Sequence, residues 1–275
     1  MLAMNSHRAL KMTGGAQAKA VEKLSSGLRI NRAADDAAGL AISEKMRAQI
    51  RGLDQASRNA QDGISMIQTA EGALTETHAM LQRMIELTVQ AANDTYTTAD
   101  RAKIADELDQ LSEEITAITT KTEFNTKVLL SGGLSDPKAV YLQVGANKSQ
   151  SIEFGINKMT ATALEVNAAK IGSIVRAKGK KGSEISALVE TVNSAIETVS
   201  AERAKLGAVQ NRLEHTIKNL DVSSENLQAS ESRIRDTDMA KEMMNFTKTN
   251  ILQQAATAML AQANQAPQNV LQLLR

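Results

Sequence analysis

The chain has 275 residues, with 32 Lys and Arg against 31 Asp and Glu, and no basic run long enough to bind nucleic acid. It has no cysteine, which excludes disulfides, thiolate metal sites and thiol catalysis, and no apolar run of the ~20 residues that a membrane span requires. Aromatic residues make up 2%, with no Trp, so a core must come from Leu, Ile, Val, Met and Ala, a composition suited to long packed helices.

Residues 1–32 carry only a loose stripe of Leu10, Ala20, Leu24 and Leu28, and Gly14-Gly15 and Ser25-Ser26-Gly27 weaken any helix there. Asp35 or Asp36 can cap the next helix. From Met46 the apolar pattern becomes regular: Ile50, Leu53, Ser57, Ala60, Ile64, Ile67, Glu71, Leu74, His78, Leu81, Ile85 and Thr88 alternate by three and four. This spacing predicts a helix of about 50 residues ending near Asn93-Asp94. Thr97-Thr98-Ala99-Asp100 opens a shorter third helix carrying Ile104, Leu108, Leu111, Ile115 and Ile118.

The helical period stops around Glu123-Phe124-Asn125. Val140, Leu142 and Val144, then Ile152, Phe154 and Ile156, recur every second residue on either side of a turn at Ala146–Ser149, which predicts a β-hairpin over about 139–156. Residues 157–183 read as a connection and not a domain.

From Glu184 to Ile234 an apolar residue falls at every seventh position: Val192, Val199, Leu206, Leu213, Leu220, Leu227 and Ile234. A second row, offset by three or four, holds Val189, Ile196, Arg203, Gln210, Ile217, Ser224 and Glu231. A 3-4 spacing sustained this long is a coiled-coil seam. At about 1.5 Å per residue the helix would be roughly 75 Å long, which predicts that Leu206, Leu213 and Leu220 pack against the Ile50–Ile85 stripe, antiparallel to it. A last Ala- and Met-rich helix runs from Met239 to about Ala263, with Ala266-Pro267-Gln268 expected to bend or end it. Together these elements predict a mainly α protein: an elongated antiparallel helical coiled-coil rod with a small β-hairpin region, plus a terminal helical coiled-coil pair.

Catalysis has no candidate. His7, His78 and His215 lack carboxylates at metal-ligand spacing, and no HExxH, P-loop, G-x-S-x-G or G-x-G-x-x-G occurs. His78 reads as a tolerated seam histidine, or as a polar pair with Glu71 fixing helix register. Asp35-Asp36, Glu113-Glu114 and Asp236/Asp238 read as caps and solvated acids, and the methionines as gap-fillers. No cofactor, metal, nucleic acid or membrane is implied. The weak terminal helices read either as frayed ends or as a pair that orders only on assembly.

The stretch LSSGLRINRAADDAAGLAISEKMRAQIRGLDQASRNAQDGISMIQTAEGALTE (24–76) resembles bacterial flagellins, as do LQRMIELTVQAAND (81–94), FN-x-K-VLL (124–130) and SRIRDTDMAKEMMNFTKTNILQQAATAMLAQANQAPQNVLQLL (232–274). The resemblance implies a structural subunit that is exported unfolded without a cleaved signal peptide and self-assembles into an extracellular helical filament. It implies that 1–35 with 236–275 form an inner coiled-coil domain and 36–235 the next shell, with the variable outer domains of many flagellins absent. Leu24, Leu28, Met243, Phe246, Ile251, Leu260, Val270, Leu271 and Leu274 are the assembly residues it implies. Implied partners are other copies of the chain, the flagellar export apparatus and its secretion chaperone, the filament cap and junction proteins, and the toll-like flagellin receptor of animal hosts. For that receptor the L-Q-R-x-x-E-L-x-V-Q block points to Gln82, Arg83, Glu86, Leu87 and Gln90, with Glu107 on the following helix. Leu87 is expected as an exposed apolar contact beside Arg83. The resemblance also suggests that a few residues precede Met1. A hook–filament junction protein, or a coiled-coil adaptor that never polymerises, remains the alternative.

Overall fold

In a computed structural model, residues 2–135, 139–177 and 182–273 are described, and side chains over 4–135, 139–177 and 182–263. Six helices and four short strands follow in the order α1 (Leu2–Ser26), α2 (Ala37–Ala92), α3 (Thr98–Lys121), β1 (Glu123–Phe124), β2 (Lys127–Val128), β3 (Val140–Gln143), β4 (Ser151–Phe154), α4 (Ile171–Arg176), α5 (Gly182–Arg235) and α6 (Met239–Leu273). The helix starts follow local chemistry. Asp36 Oδ1 accepts from the Gly39 backbone N–H at 2.8 Å. Thr97 and Asp100 form a reciprocal capping box at the start of α3. Helix α6 continues past Pro267 to Leu273, beyond the expected break. A proline in a long helix removes one backbone donor without requiring the rest of the ladder to open.

The chain packs as two units, Gly52–Val222 and Met1–Arg51 with Ser223–Arg275. The Gly52–Val222 unit holds the hydrophobic core, in which Ile67, Leu74, Leu81 and Met84 of α2 join Leu108 and Ile115 of α3 and Val192, Val199, Leu206 and Leu213 of α5. Here α2 and α5 run antiparallel, because positions that rise along one fall along the other. Ser57 Oγ meets Asp221 Oδ1 at 3.2 Å, Leu213 lies against Gly63, and Glu71 pairs with Arg203 at 3.5 Å. The Glu71–Arg203 pair joins one seam row to the other and helps fix their register. Leu206, Leu213 and Leu220 are buried as the heptads predict.

Strands β3 and β4 pair antiparallel in the expected hairpin, with Leu142 opposite Ile152 and Gln143 opposite Ser151. A second, tighter hairpin joins β1 to β2 through Asn125 and Thr126, both at positive φ. Two left-handed residues at the centre of a two-residue loop match the strand twist. The connection after β4 is packed, not loose: Met159, Ala161, Leu164 and Val166 are buried. It is tied to α5 by Glu202, a buried carboxylate that accepts from Asn157 N at 3.1 Å and Asn157 Nδ2 at 2.8 Å. Helix α4 is pinned to α3 where Arg176 meets Asp106 and, at 2.6 Å, Asp109.

The other unit has almost no apolar interior. Among its described side chains only Ala20 and Ile30 are buried hydrophobics. Its segments of α2 and α5 are held by polar pairs instead, Arg47 to Glu231 at 2.8 Å and Arg235 to Glu44 at 2.5 Å. Helices α1 and α6 pack together, joined by a short antiparallel clasp in which Leu28 bridges Asp236, Arg29 N donates to Arg235 O at 2.6 Å, and Thr237 N donates to Gly27 O at 2.9 Å. Because α1 ends and α6 begins at this clasp, the two helices run antiparallel. Gly27 takes φ +71°, a left-handed turn for which glycine carries no Cβ penalty.

Candidate interaction surfaces

Two surfaces stand apart from the core. The first lies on the C-terminal third of α2. Arg83 sits there as an exposed fork: its Nε and Nη2 donate to Glu107 Oε1 of α3 at 3.0 and 2.9 Å, and its Nη1 donates to Glu86 Oε2 at 2.9 Å. Hydrogen bonding to Glu86, and then to Glu107, holds the guanidinium pKa above its ordinary value. One turn earlier, the Gln82 amide meets His78 Nε2 at 3.2 Å. Two turns later, Gln90 Nε2 donates to Tyr96 Oη at 3.1 Å. Gln82, Arg83, Glu86, Gln90 and Glu107 are therefore gathered on one exposed, polar patch.

Leu87 does not join that patch. It is 2% exposed and belongs to the core cluster that also holds Ile104 and Leu108 of α3. The reason lies one turn away, where Arg83 reaches across to Glu107, so this flank of α2 faces α3 and not solvent. The exposed apolar residue of the patch is Val89, which the Leu87 expectation passed over. Its spacing of three from Glu86 and seven from Gln82 puts it on their face. Tyr96, half-buried beyond the helix end, is a second neighbour that helical spacing could not reveal.

The second surface is the α1/α6 pair. Leu24 and Leu28, and Phe246 and Leu260 of α6, are half-buried, whereas Met243 and Ile251 are exposed. The Val270 and Leu271 side chains, and Leu274, lie outside the described residues. An open groove on α6 is lined by Met243, Met244, Thr247, Lys248, Ile251 and Leu252, nearly all of it apolar. Across the described side chains of both helices, only Ala20 is buried. Exposed Met, Ile and Leu side chains are thus gathered on this helix pair and not in the core. Sequence reading reached Met243 and Ile251 but not Met244, Leu252 or Met259, because an Ala-rich helix gives no sharp periodicity to divide its faces.

Among the described residues no group of three or more His, Asp or Glu is placed to hold a metal ion. None of the described helices is long and apolar enough to cross a membrane.

Comparison with known proteins identifies the pattern. Residues 1–134 match the bacterial flagellin N-terminal helical region and residues 189–274 the bacterial flagellin C-terminal helical region. A flagellin of Halalkalibacterium halodurans is 58% identical over 99% of this chain and 97% of its own length. A flagellin of Bacillus subtilis is 55% identical over the same shares. A Vibrio parahaemolyticus protein assigned as flagellar hook-associated shares the fold at a TM-score of 0.63, over 74% of this chain and 100% of its own, with 14% identity. With both terminal regions matched, and relatives this similar from end to end, the chain belongs to the bacterial flagellin family.

Proposed function

We propose that the chain is the structural subunit of a bacterial flagellar filament, polymerising through α1 and α6. The observation that carries this reading is the α1/α6 pair, two long helices whose described side chains bury only Ala20 while leaving Met, Ile and Leu exposed. Neighbouring copies can cover this surface, and burial of apolar area on that scale is the usual driving force for association. In this reading, 1–35 with 236–275 form the inner domain of the filament and 36–235 the next shell. The relatives' similar length supports a short form without outer domains.

A coiled-coil adaptor or a hook–filament junction protein is the less favoured role. Identities of 58% and 55% to flagellins, against 14% to the hook-associated protein, point to the filament. Terminal helices with so little buried area would be marginal alone, which suits export of an unfolded chain through the flagellar apparatus, a chaperone on the C-terminal segment, and folding completed on assembly outside the cell. Filament cap and junction proteins would meet the same terminal helices. The patch of Gln82, Arg83, Glu86, Gln90 and Glu107, with Val89, is the surface proposed for the toll-like receptor of animal hosts. Leu87 would act there only by supporting α2 from within.

Deleting Val270–Arg275 tests the reading. The truncated chain is expected to keep the Gly52–Val222 core folded, seen as an unchanged cooperative melt, and to fail to elongate filament seeds. Normal elongation by the truncated chain would exclude the end of α6 from assembly.

A further inference from the structure

The described methionines divide by exposure, and the exposed ones all lie on α1 and α6. Among the described side chains, Met4 and Met12 of α1 and Met239, Met243, Met244 and Met259 of α6 are 47–75% exposed. The others are sheltered: Met66, Met84 and Met159 are buried, and Met46 and Met80 are half-buried. Every exposed thioether therefore lies on the helices that would carry assembly, and none lies in the Gly52–Val222 unit. Met243 and Met244 also form part of the apolar groove with Ile251 and Leu252.

We propose that this partition makes the unassembled subunit a target for reversible peroxide oxidation, with Met243 and Met244 as the principal modification sites and polymerisation as the property switched off. The inference rests on the filament reading above. The chemistry needs only a two-electron oxidant of the peroxide class. The thioether sulfur attacks one peroxide oxygen, the S–O bond forms as the O–O bond breaks, and the departing hydroxide takes up the proton of the transferred oxygen to leave as water. Sulfur is oxidised by two electrons and the peroxide is reduced. The product places a polar S=O where an apolar thioether stood.

A sulfoxide on free monomer is solvated and costs little. Within an assembled interface it must be desolvated, and nothing in the Met243–Leu252 groove except Thr247 and Lys248 can donate a hydrogen bond to it. Oxidation therefore weakens the assembled state far more than the free chain. The core methionines are protected by burial, so the Gly52–Val222 fold survives the same exposure.

The test treats full-length monomer with hydrogen peroxide, maps sulfoxides by mass spectrometry of proteolytic peptides, and follows elongation of filament seeds by sedimentation. Sulfoxide is expected first on Met4, Met12 and the four α6 methionines, and last on Met66, Met84 and Met159. Elongation is expected to slow about tenfold or more for each desolvated sulfoxide, and methionine sulfoxide reductase is expected to restore it. A variant with Met4→Leu, Met12→Leu, Met239→Leu, Met243→Leu, Met244→Leu and Met259→Leu should elongate after peroxide treatment as it does before. If that variant is itself assembly-deficient, recovery of the parent by the reductase still decides the matter. Equal elongation by treated and untreated parent chain, or sulfoxide appearing first at Met66 or Met84, overturns the inference while leaving the filament reading in place. An untreated parent chain that cannot elongate seeds overturns the filament reading and this inference together.

Discussion

Arg83 and Glu107 are joined by two parallel donations onto one carboxylate oxygen, at 3.0 and 2.9 Å, across the gap between α2 and α3. This fork does two things at once. It fixes the geometry of an exposed patch, and it spans the flank of α2 whose Leu87 packs inward in the core cluster with Ile104 and Leu108 of α3. Both partners are exposed, so the pair adds little to folding; its value is as a presented shape.

Arg83→Ala should therefore separate recognition from stability. Its thermal melt is expected to match the parent, while affinity of monomer for the flagellin receptor falls at least about tenfold. Leu87→Ala should show the opposite pattern, a lower melting temperature from a core cavity. Comparing the two variants by calorimetry and surface binding checks the assignment. Unchanged binding by Arg83→Ala would remove the fork from the recognition surface.

The seam gives the clearest stability prediction. Leu213 is fully buried between α5 and α2, so Leu213→Ala should cost about 2–5 kcal/mol. Leu213→Asp should cost more, because it buries a charge without a partner. Chemical denaturation measures both. A Leu213→Asp chain that unfolds at the parent midpoint would contradict the packing.

The glycines provide an internal contrast. A methyl group added at Gly182 would meet the Ala92 carbonyl oxygen at 2.0 Å, whereas one added at Gly72 meets nothing within 4 Å. Gly72→Ala is expected to stabilise by about 0.5–1 kcal/mol, the helical penalty of glycine removed. Gly182→Ala should destabilise, by forcing the start of α5 away from the end of α2. Denaturant midpoints moving in opposite directions would bear this out.

What the sequence makes legible follows from how many elements must be known at once. The α5 seam is readable because Val192, Val199, Leu206 and Leu213 answer to one partner helix along a single stripe, and the hairpin because β3 and β4 alternate cleanly about their turn. The exposure of Leu87 is not readable, since it depends on α3, a third helix whose position no periodicity within α2 encodes. The β1–β2 hairpin is too short for an alternating pattern, and only Asn125 at the turn hints at it. The half-burial of Leu227 and Ile234, despite an unbroken heptad row, has a related cause. Around them the facing segments of α2 and α5 are joined by the Arg47–Glu231 and Glu44–Arg235 pairs.

Those polar pairs imply a pH dependence. The hydrogen bond from Arg235, more than any other influence, holds the Glu44 carboxyl below its ordinary pKa; the charges of Arg235, Arg47 and Arg51 act in the same direction. A carboxyl depressed in the folded state contributes stability that is full above the ordinary Glu value and is lost as pH falls through the folded-state value. Carboxyl carbon NMR should place the Glu44 midpoint below that of a free glutamate, and Glu44→Gln should flatten that part of the acid limb. A midpoint at or above the ordinary value would contradict the pairing.

The central claim is that α1 and α6 are the assembly surface of a filament subunit. Its most direct test is electron microscopy of sheared flagellin seeds incubated with the purified full-length chain. The account predicts seeds that lengthen into tubular filaments in proportion to added chain, with Met243→Asp abolishing growth while the Gly52–Val222 core still melts cooperatively. Seeds that stay at their starting length with the parent chain, or that grow equally with Met243→Asp, would contradict it.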